Sequence, residues 1–343
     1  MNSRLFLKEY LDNHPVSCSS LAEHYHLDAE QLERQYKNHL SEYQDWSHKD
    51  HADEYLVFAK NIGTRLCIDE TSLSNGELYT IVTNPDKKKH KGCLVAILKG
   101  TKSEDIIKTL NYIPLALRCK VKEVNVDMAA NMHYAIAKSF PRAEVVVDRF
   151  HVQKLAQEAL QEIRISYRWE ALDQEAKAIK LAKKNNKLYK PESFSNGDTK
   201  RQLLARSRYL LFKSREKWSQ SQNVRAKILF YNYTEIEKAY NLVHRLRCIL
   251  NQQYDKDTAR LSLAKWFNQV DAYLWERESG KSPFFSVLNS FEVYSDKILN
   301  YFNNRSTNAF AESFNAKIKR FRATFRGVTD IKFFLFRVSK IYA

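Results

Sequence analysis

Hydrophobic and polar positions follow different periods in successive parts of this chain, and each period predicts its own kind of element. The first 45 or so residues have helical spacing. The stretch PVSCSSLAEHYHLDAEQLERQYKNHL reads as one helix, a short break near Leu27–Asp28, and a second helix with Asp28 as its N-cap. The pair is compatible with a helix-turn-helix and equally with a plain structural pair of helices. Residues 1–50 are therefore set apart as a small N-terminal helical segment.

Between Arg65 and Val147 the pattern changes. Short β-rich runs follow one another: RLCID, YTIVTN, CLVAIL, VKEVNVD and AEVVVD. The turn-like segments SLSNGE and NPDKKKHKG separate the first three, which predicts an antiparallel meander. Helical spacing returns in SEDIIKTLNYIPLAL and in MAANMHYAIAKSFP, which Pro141 closes. The predicted order is β-β-β-α-β-α-β followed by helix. That is an α/β arrangement with RNase H-like topology, a mixed five-stranded sheet whose two late strands need helical crossovers. From Phe150 to about Phe302 nearly everything reads as helix, with a loop at Pro191–Thr199. Helix resumes from Ser306 to the end. The expected layout is a core whose first part spans 62–165, an all-α insertion at 166–302, and the rest of the core at 303–343. Trp169, Trp218, Trp266 and Trp275 fall in the insertion and are read as core residues.

Composition narrows the class. Only 7 Gly and 6 Pro occur in 343 residues, which argues against a loop-rich all-β protein. No apolar run approaches the roughly 18 residues of a membrane span, and the start lacks the apolar stretch of a signal peptide. A cytoplasmic protein without membrane contact is expected. The five cysteines lie far apart with no Cys-x-x-Cys pair, which predicts free buried thiols and no zinc site.

The net charge of +16 is unevenly placed. Lys177–Lys227 holds 15 Lys/Arg against 3 Asp/Glu, and Asp296 to the end holds 10 against 3. Such segregation points to a polyanion partner, the alternative being a solvated helical surface. Lys183, Lys184, Lys200 and Arg201 in the insertion, with Arg320 and Arg322 near the end, are the candidate DNA contacts.

Three carboxylates stand out. Asp69 closes the run RLCID and Asp127 closes EVNVD, and side chains at such strand ends converge on one sheet edge. An N-cap is the competing role. It suits Asp127, with Met128 opening a helix, but not Asp69, which leads into a hairpin. Glu312 lies in NRSTNAFAESFNAKIKRF. At 100° per residue, Phe310, Phe314, Ile318 and Phe321 fall on one side, and Asn308, Glu312, Asn315 and Lys319 on the other. Taken alone, that polar side is also what any amphipathic helix shows to water. Three carboxylates suit in-line displacement at phosphorus assisted by two Mg²⁺ ions, with Mn²⁺ as a substitute. These are hard ions that take carboxylate, water and phosphate oxygens. His133 and Tyr134 follow Asp127 closely, without a decided role.

The segments IDETSL, VDMAANMHYAI, FPRAEVVVDRFHVQKLAQEAL and NRSTNAFAESFNAKIKRFRATFRG resemble the DDE transposases of bacterial insertion sequences, specifically the ISL-three family. The resemblance spans roughly residues 63–340. It implies Asp69, Asp127 and Glu312 as the catalytic, metal-binding triad, and an all-α insertion between the fifth strand and the glutamate helix. It also implies cleavage at transposon ends followed by transfer of the 3′-hydroxyl to target DNA. Asp148 and His151 form the D-x-x-H signature of this branch. For them a helix cap with nearby backbone bonding and direct metal ligation are the two readings. Double-stranded DNA, a homodimer or larger synaptic complex, and the bacterial nucleoid are the implied surroundings. Longer relatives carry a cysteine-rich N-terminal segment. Here Cys18 is the lone cysteine before residue 67, so that module is expected to be absent, and end recognition falls to the helical pair, the basic insertion or a companion protein. The competing functions are a catalytically inactive, transposase-derived DNA-binding protein and an RNase H-like nuclease.

Overall fold

The computed structural model describes residues 3–74, 76–87, 91–275, 282–325 and 328–343. Asn75 of SLSNGE, Lys88–His90 of NPDKKKHKG and Arg326–Gly327 of the C-terminal segment lie outside the described residues. The chain divides into two compact units, Met1–Asp148 with Arg305–Ala343, and Arg149–Asn304.

The first unit opens with α1 (Ser3–Asn13), α2 (Cys18–Tyr25) and α3 (Ala29–Gln35). His26 ends α2 in the left-handed region at φ 53°, and Asp28 caps α3 by accepting the Gln31 N–H at 2.6 Å. The break near Leu27–Asp28 is thus a real turn. These helices are packed into the unit. Leu11, Cys18, Leu21 and Tyr36 share a core cluster with Phe333 and Phe336 of the C-terminal helix.

The sheet follows: β1 (Tyr55–Val57), β2 (Arg65–Ser74), β3 (Glu77–Thr83), β4 (Leu94–Lys99), β5 (Glu123–Val126) and β6 (Glu144–Val147), in spatial order β1-β4-β3-β2-β5-β6. The strands β1, β4, β3 and β2 are antiparallel to their neighbours, whereas β5 and β6 join β2 in parallel. The meander and the parallel pair match the hydrophobic runs, but the expected five strands are six. Residues YLV pair with β4 as an additional edge strand, Tyr55 opposite Leu98. Three residues are too few to show a period of two, so this strand is defined by its ladder partner rather than by its own pattern.

The crossovers are α4 (Ser103–Leu110) with the short α5 (Leu115–Arg118), then α6 (Ala130–Ser139). They cover one sheet face, where Leu66, Ile68, Val124 and Val126 meet Ile106, Leu110 and Ile136. The opposite face, carrying Leu73, Tyr79, Ile81 and Ile97, is covered by two C-terminal helices.

The second unit is helical: α7 (Arg149–Lys184), α8 (Lys200–Arg206), α9 (Arg208–Phe212), α10 (Gln220–Asn232), α11 (Thr234–Asn251), α12 (Lys256–Trp275), α13 (Phe284–Leu299) and α14 (Tyr301–Asn304). Capping boxes start α8 at Thr199/Gln202 and α10 at Ser219/Gln222. Asp198 is buried, and Arg206 and Arg225 donate to its two oxygens. Trp266 is core as expected, with its indole N–H donating to Leu242 O at 2.9 Å. Trp169 and Trp275 are not core, being 64% and 83% exposed.

The chain returns to the first unit with α15 (Ala309–Thr324) and α16 (Ile331–Tyr342). On α16 the guanidinium of Arg337 is fully buried. Its Nη2 donates to Leu11 O at 2.6 Å, Val16 O at 3.1 Å and His14 O at 3.3 Å, tying α16 to the end of α1. No described helix is long and apolar enough to cross a membrane.

Candidate active site

The site is built on the parallel half of the sheet. The register pairs Cys67 with Asn125 across β2 and β5, and Val126 with Val147 across β5 and β6. Carried on by two residues and by one, these registers set Asp69 level with Asp127, and Asp127 level with Asp148. Asp69 lies within β2, which runs on to Ser74 through its pairing with β3, rather than at a strand end as its apolar run suggested. With a side-chain period of two, Asp69 and Asp127 project from the same face. Neighbouring strands are roughly 4.8 Å apart. The Asp148 N–H donates to Val126 O at 3.0 Å, which continues the ladder up to that residue.

Each aspartate is held differently. Asp69 Oδ1 accepts the Glu70 N–H at 2.9 Å, and Oδ2 accepts from Asn315 Nδ2 at 2.8 Å. Asp127 Oδ1 accepts the Ala129 N–H at 3.1 Å. Asp127 is nevertheless not the cap of α6, because Ala129 occupies that position without a side-chain cap and the helix opens at Ala130 rather than Met128. His133 is buried, and its Nε2–H donates to the Asp127 carbonyl at 2.7 Å, which fixes the backbone behind the carboxylate. Tyr134 is exposed, with Lys138 over its ring. Asp148 is buried at the end of β6, while His151 lies in the first turn of α7 and belongs to the helical unit.

Glu312 arrives on α15. Phe314, Ile318 and Phe321 of this helix are buried against the sheet, each contributing about 1.5–3 kcal/mol, so α15 is firmly docked. The face read as wet from the sequence is wet only in part. Glu312 and Lys319 are exposed, but Asn308 and Asn315 are buried. Asn308 Nδ2 donates to Ile68 O at 3.1 Å, and Asn315 bonds Asp69 as described. Glu312, four residues after Asn308 and three before Asn315, shares their helical face in the first turn of α15. Among the described residues, no three Asp, Glu, His or Cys side chains are grouped so as to hold a metal ion. The structure thus aligns two aspartates at one edge and docks the glutamate helix onto the strand of one of them, without assembling a closed cage.

Sequence reasoning passed over Glu70. Its carboxyl is pushed above the ordinary range by burial first, then by Asp127 and Asp69. The available signal was its place beside Asp69, but alternation puts it on the other sheet face and hides the proximity.

The candidate DNA contacts are scattered. Lys183 and Lys184 end α7, and Lys200 and Arg201 begin α8, all exposed. Arg201 pairs with Glu175 at 3.4 Å. Arg320 lines a cavity of about 580 Å³ with Lys91 and Lys317, and Arg322 is half-buried.

Comparison with known proteins places the chain in a family. A family model described as a transposase, of the ISL-three DDE type, matches residues 66–338. A transposase for insertion sequence element IS1001 from Bordetella parapertussis is 22% identical over 275 residues, covering 80% of this chain and 59% of that protein. The chain therefore spans well under two thirds of that relative's length.

Proposed function

The chain belongs to the ISL-three family of DDE transposases, and from that premise we propose that it cleaves DNA at transposon ends and transfers the freed 3′-hydroxyl to target DNA. The sheet unit is its RNase H-like catalytic core, with Asp69, Asp127 and Glu312 as ligands for two Mg²⁺ ions, for which Mn²⁺ can substitute. The observation carrying this reading is the level placement of Asp69 and Asp127 on adjacent parallel strands, with the Glu312 helix bonded to Asp69 through Asn315.

The donor set fits a hard cation. All three groups offer carboxylate oxygens, and Glu70, whose carboxyl is raised first by burial and then by Asp127 and Asp69, lies close enough to feel both aspartates. Magnesium is commonly held by one or two carboxylates together with water and substrate phosphate, so a closed protein cage is not required before DNA arrives. When bound, the two ions would polarise the scissile phosphate and stabilise the attacking and leaving oxygens. The protein's own part is placement. Asn315 orients Asp69, the Ala129 N–H and His133 hold Asp127, and α15 presents Glu312 from its first turn. Asp148 backs the row from β6, and Lys319, exposed on the same helix, is suited to a phosphate. Water attacks a phosphorus at the transposon end and displaces the 3′-oxygen, which leaves as a 3′-hydroxyl. That hydroxyl then attacks a target phosphorus and displaces the target strand's 3′-oxygen, so one P–O bond breaks for each that forms.

Two ends must be held together, so the working form is a homodimer or larger synaptic assembly on double-stranded DNA at the bacterial nucleoid. End recognition is assigned to the N-terminal helical pair and the basic helical unit, or to a companion protein. Binding should fall steeply with salt. The deciding experiment compares wild type with Asp127→Ala on end-containing DNA in Mg²⁺ or Mn²⁺. Loss of cleavage with retained DNA binding supports the proposal. A wild type that never cleaves with either ion returns the chain to the inactive DNA-binding reading. Cleavage that ignores end sequence points instead to a nuclease.

A further inference from the structure

The helical unit contains a groove that the catalytic reading does not use. It runs along the first half of α7 and is closed by α8, α9 and α11, enclosing a cavity of about 1010 Å³. Four arginines line it, Arg164, Arg168, Arg208 and Arg247, together with Lys154, against the single carboxylate of Glu158. None of the four arginines makes an ion pair with a carboxylate among the described residues. Arg164 is buried and fixed, its Nη1 donating to Leu204 O at 2.9 Å and its Nε to Gln161 at 2.8 Å. Its guanidinium is pushed below the usual arginine range by burial first, then by Arg168 and Arg208. Arg247 donates to Phe212 O at 2.9 Å. Backbone carbonyls brace Arg164 and Arg247, and the groove's one carboxylate, Glu158, lies nearest Lys154 at 3.9 Å, so the lining carries a clear excess of positive charge.

Large rings line the same groove and face solvent. Trp169 is 64% exposed, Tyr209 69% and Phe150 56%. The Arg208 guanidinium lies over the Tyr209 ring at 5.5 Å. Leaving three aromatic rings in water forfeits burial that each could supply elsewhere, so their exposure marks an interaction surface. Cations alone would suit any polyanion. Cations alternating with open ring faces suit one whose bases are unstacked and free to lie on those rings, which a duplex does not offer.

We propose that this groove binds an unpaired DNA strand, with phosphates against Arg168 and Arg208 and bases stacked on Trp169 and Tyr209. The inference rests on the reading of the chain as a DNA strand-transfer enzyme, and it gives that reading a second DNA-binding surface.

The test uses the full chain in chelator, where no cleavage can occur. Fluorescence anisotropy follows a labelled 15-residue oligothymidine and a duplex of equal length. Trp169→Ala and Tyr209→Ala should each weaken oligothymidine binding about tenfold while changing duplex binding less than about twofold. Trp169→Phe, which keeps a ring, should recover most of the loss. Arg208→Gln should reduce the salt slope for the oligothymidine by about 0.7. Unchanged strand affinity in both ring variants overturns the proposal. So does an equal loss for strand and duplex, or displacement of the oligothymidine by polyglutamate at matched charge. Failure of the catalytic reading would look different, since it would show as a wild type that does not cleave in Mg²⁺, whatever happens to strand affinity.

Discussion

Asn315 on α15 donates a 2.8 Å hydrogen bond to Asp69 Oδ2 on β2, joining the last helical hairpin of the chain to the first carboxylate of the candidate site across 246 residues. The bond leaves Asp69 Oδ1 with the Glu70 N–H and fixes the carboxylate plane. Outer partners of this kind typically tune metal affinity or activity by about 10–100-fold. Asn315→Leu keeps the number of side-chain heavy atoms and removes the donor. It should lower end cleavage by about that factor and raise the Mg²⁺ concentration needed for half-maximal rate, while Phe314, Ile318 and Phe321 keep the helix docked. If the Leu variant matches wild type in rate and Mg²⁺ dependence, Asn315 is only a structural tie.

Asp198 should govern the acid stability of the helical unit. It is buried, and although burial alone would raise its pKa, hydrogen bonds from Arg225 and Arg206 outweigh burial and lower it. A carboxyl with a depressed folded pKa stabilises fully above its unfolded value, near 3.9, and loses that contribution as pH falls through the folded value. Asp198→Asn leaves two guanidiniums without their shared anion and, because Arg206 stays largely in water, should cost about 1.5–3 kcal/mol at pH 7. Urea unfolding at pH 7, 5 and 3 checks this. The gap between wild type and variant should shrink only at the lowest pH.

Arg337 should decide whether the N-terminal helices stay docked. Arg337→Ala removes the donor to Leu11, His14 and Val16 carbonyls and leaves a buried void. The Leu11 carbonyl is buried, and leaving it without a partner costs on the order of 1–3 kcal/mol, whereas those of His14 and Val16 lie nearer water. Amide exchange should accelerate in α1 and α2 well before it does in β2–β5. Uniform acceleration across the first unit would show that Arg337 supports the whole core rather than this junction.

The thiols supply an inexpensive check on packing. Burial pushes Cys18 and Cys67 up to about 12 and Cys93 up to about 11, whereas Cys248 is exposed on α11. The reactive species is the thiolate, so at pH 8 a thiol reagent should modify Cys248 rapidly, Cys119 more slowly, and the remaining three only on unfolding. Fast modification of three or more sites in native protein would contradict the packing described above.

Much of the sheet was legible because its runs are apolar, β-rich and bounded by turn residues. RLCID, YTIVTN and CLVAIL stand out in that way, while YLV is too short and became a strand only through its partner. The helical wheel of α15 separated apolar from polar positions correctly, yet it could not say how far round the helix contact extends. Asn308 and Asn315 are buried because carbonyl and carboxylate acceptors on β2 wait for them, information that resides in another part of the chain. The same limit explains Trp169. Its type argues for a core, whereas its exposure depends on neighbours from α8 and α9. For Glu70 the closeness of Asp127 depends on a parallel pairing that no local pattern reveals.

The insertion between Asp148 and Arg305 also sets an order of events on the ribosome. At about 5–20 residues per second, translation of the helical unit delays α15 by roughly ten to thirty seconds after β6 has emerged. Throughout that interval Leu73, Tyr79 and Ile81 wait without Phe314, Ile318 and Phe321 to cover them, which makes the nascent half-sheet a natural client for chaperones. A chain released early in this window would carry both aspartates but no glutamate, so on the proposed mechanism unfinished copies are harmless to the genome that encodes them.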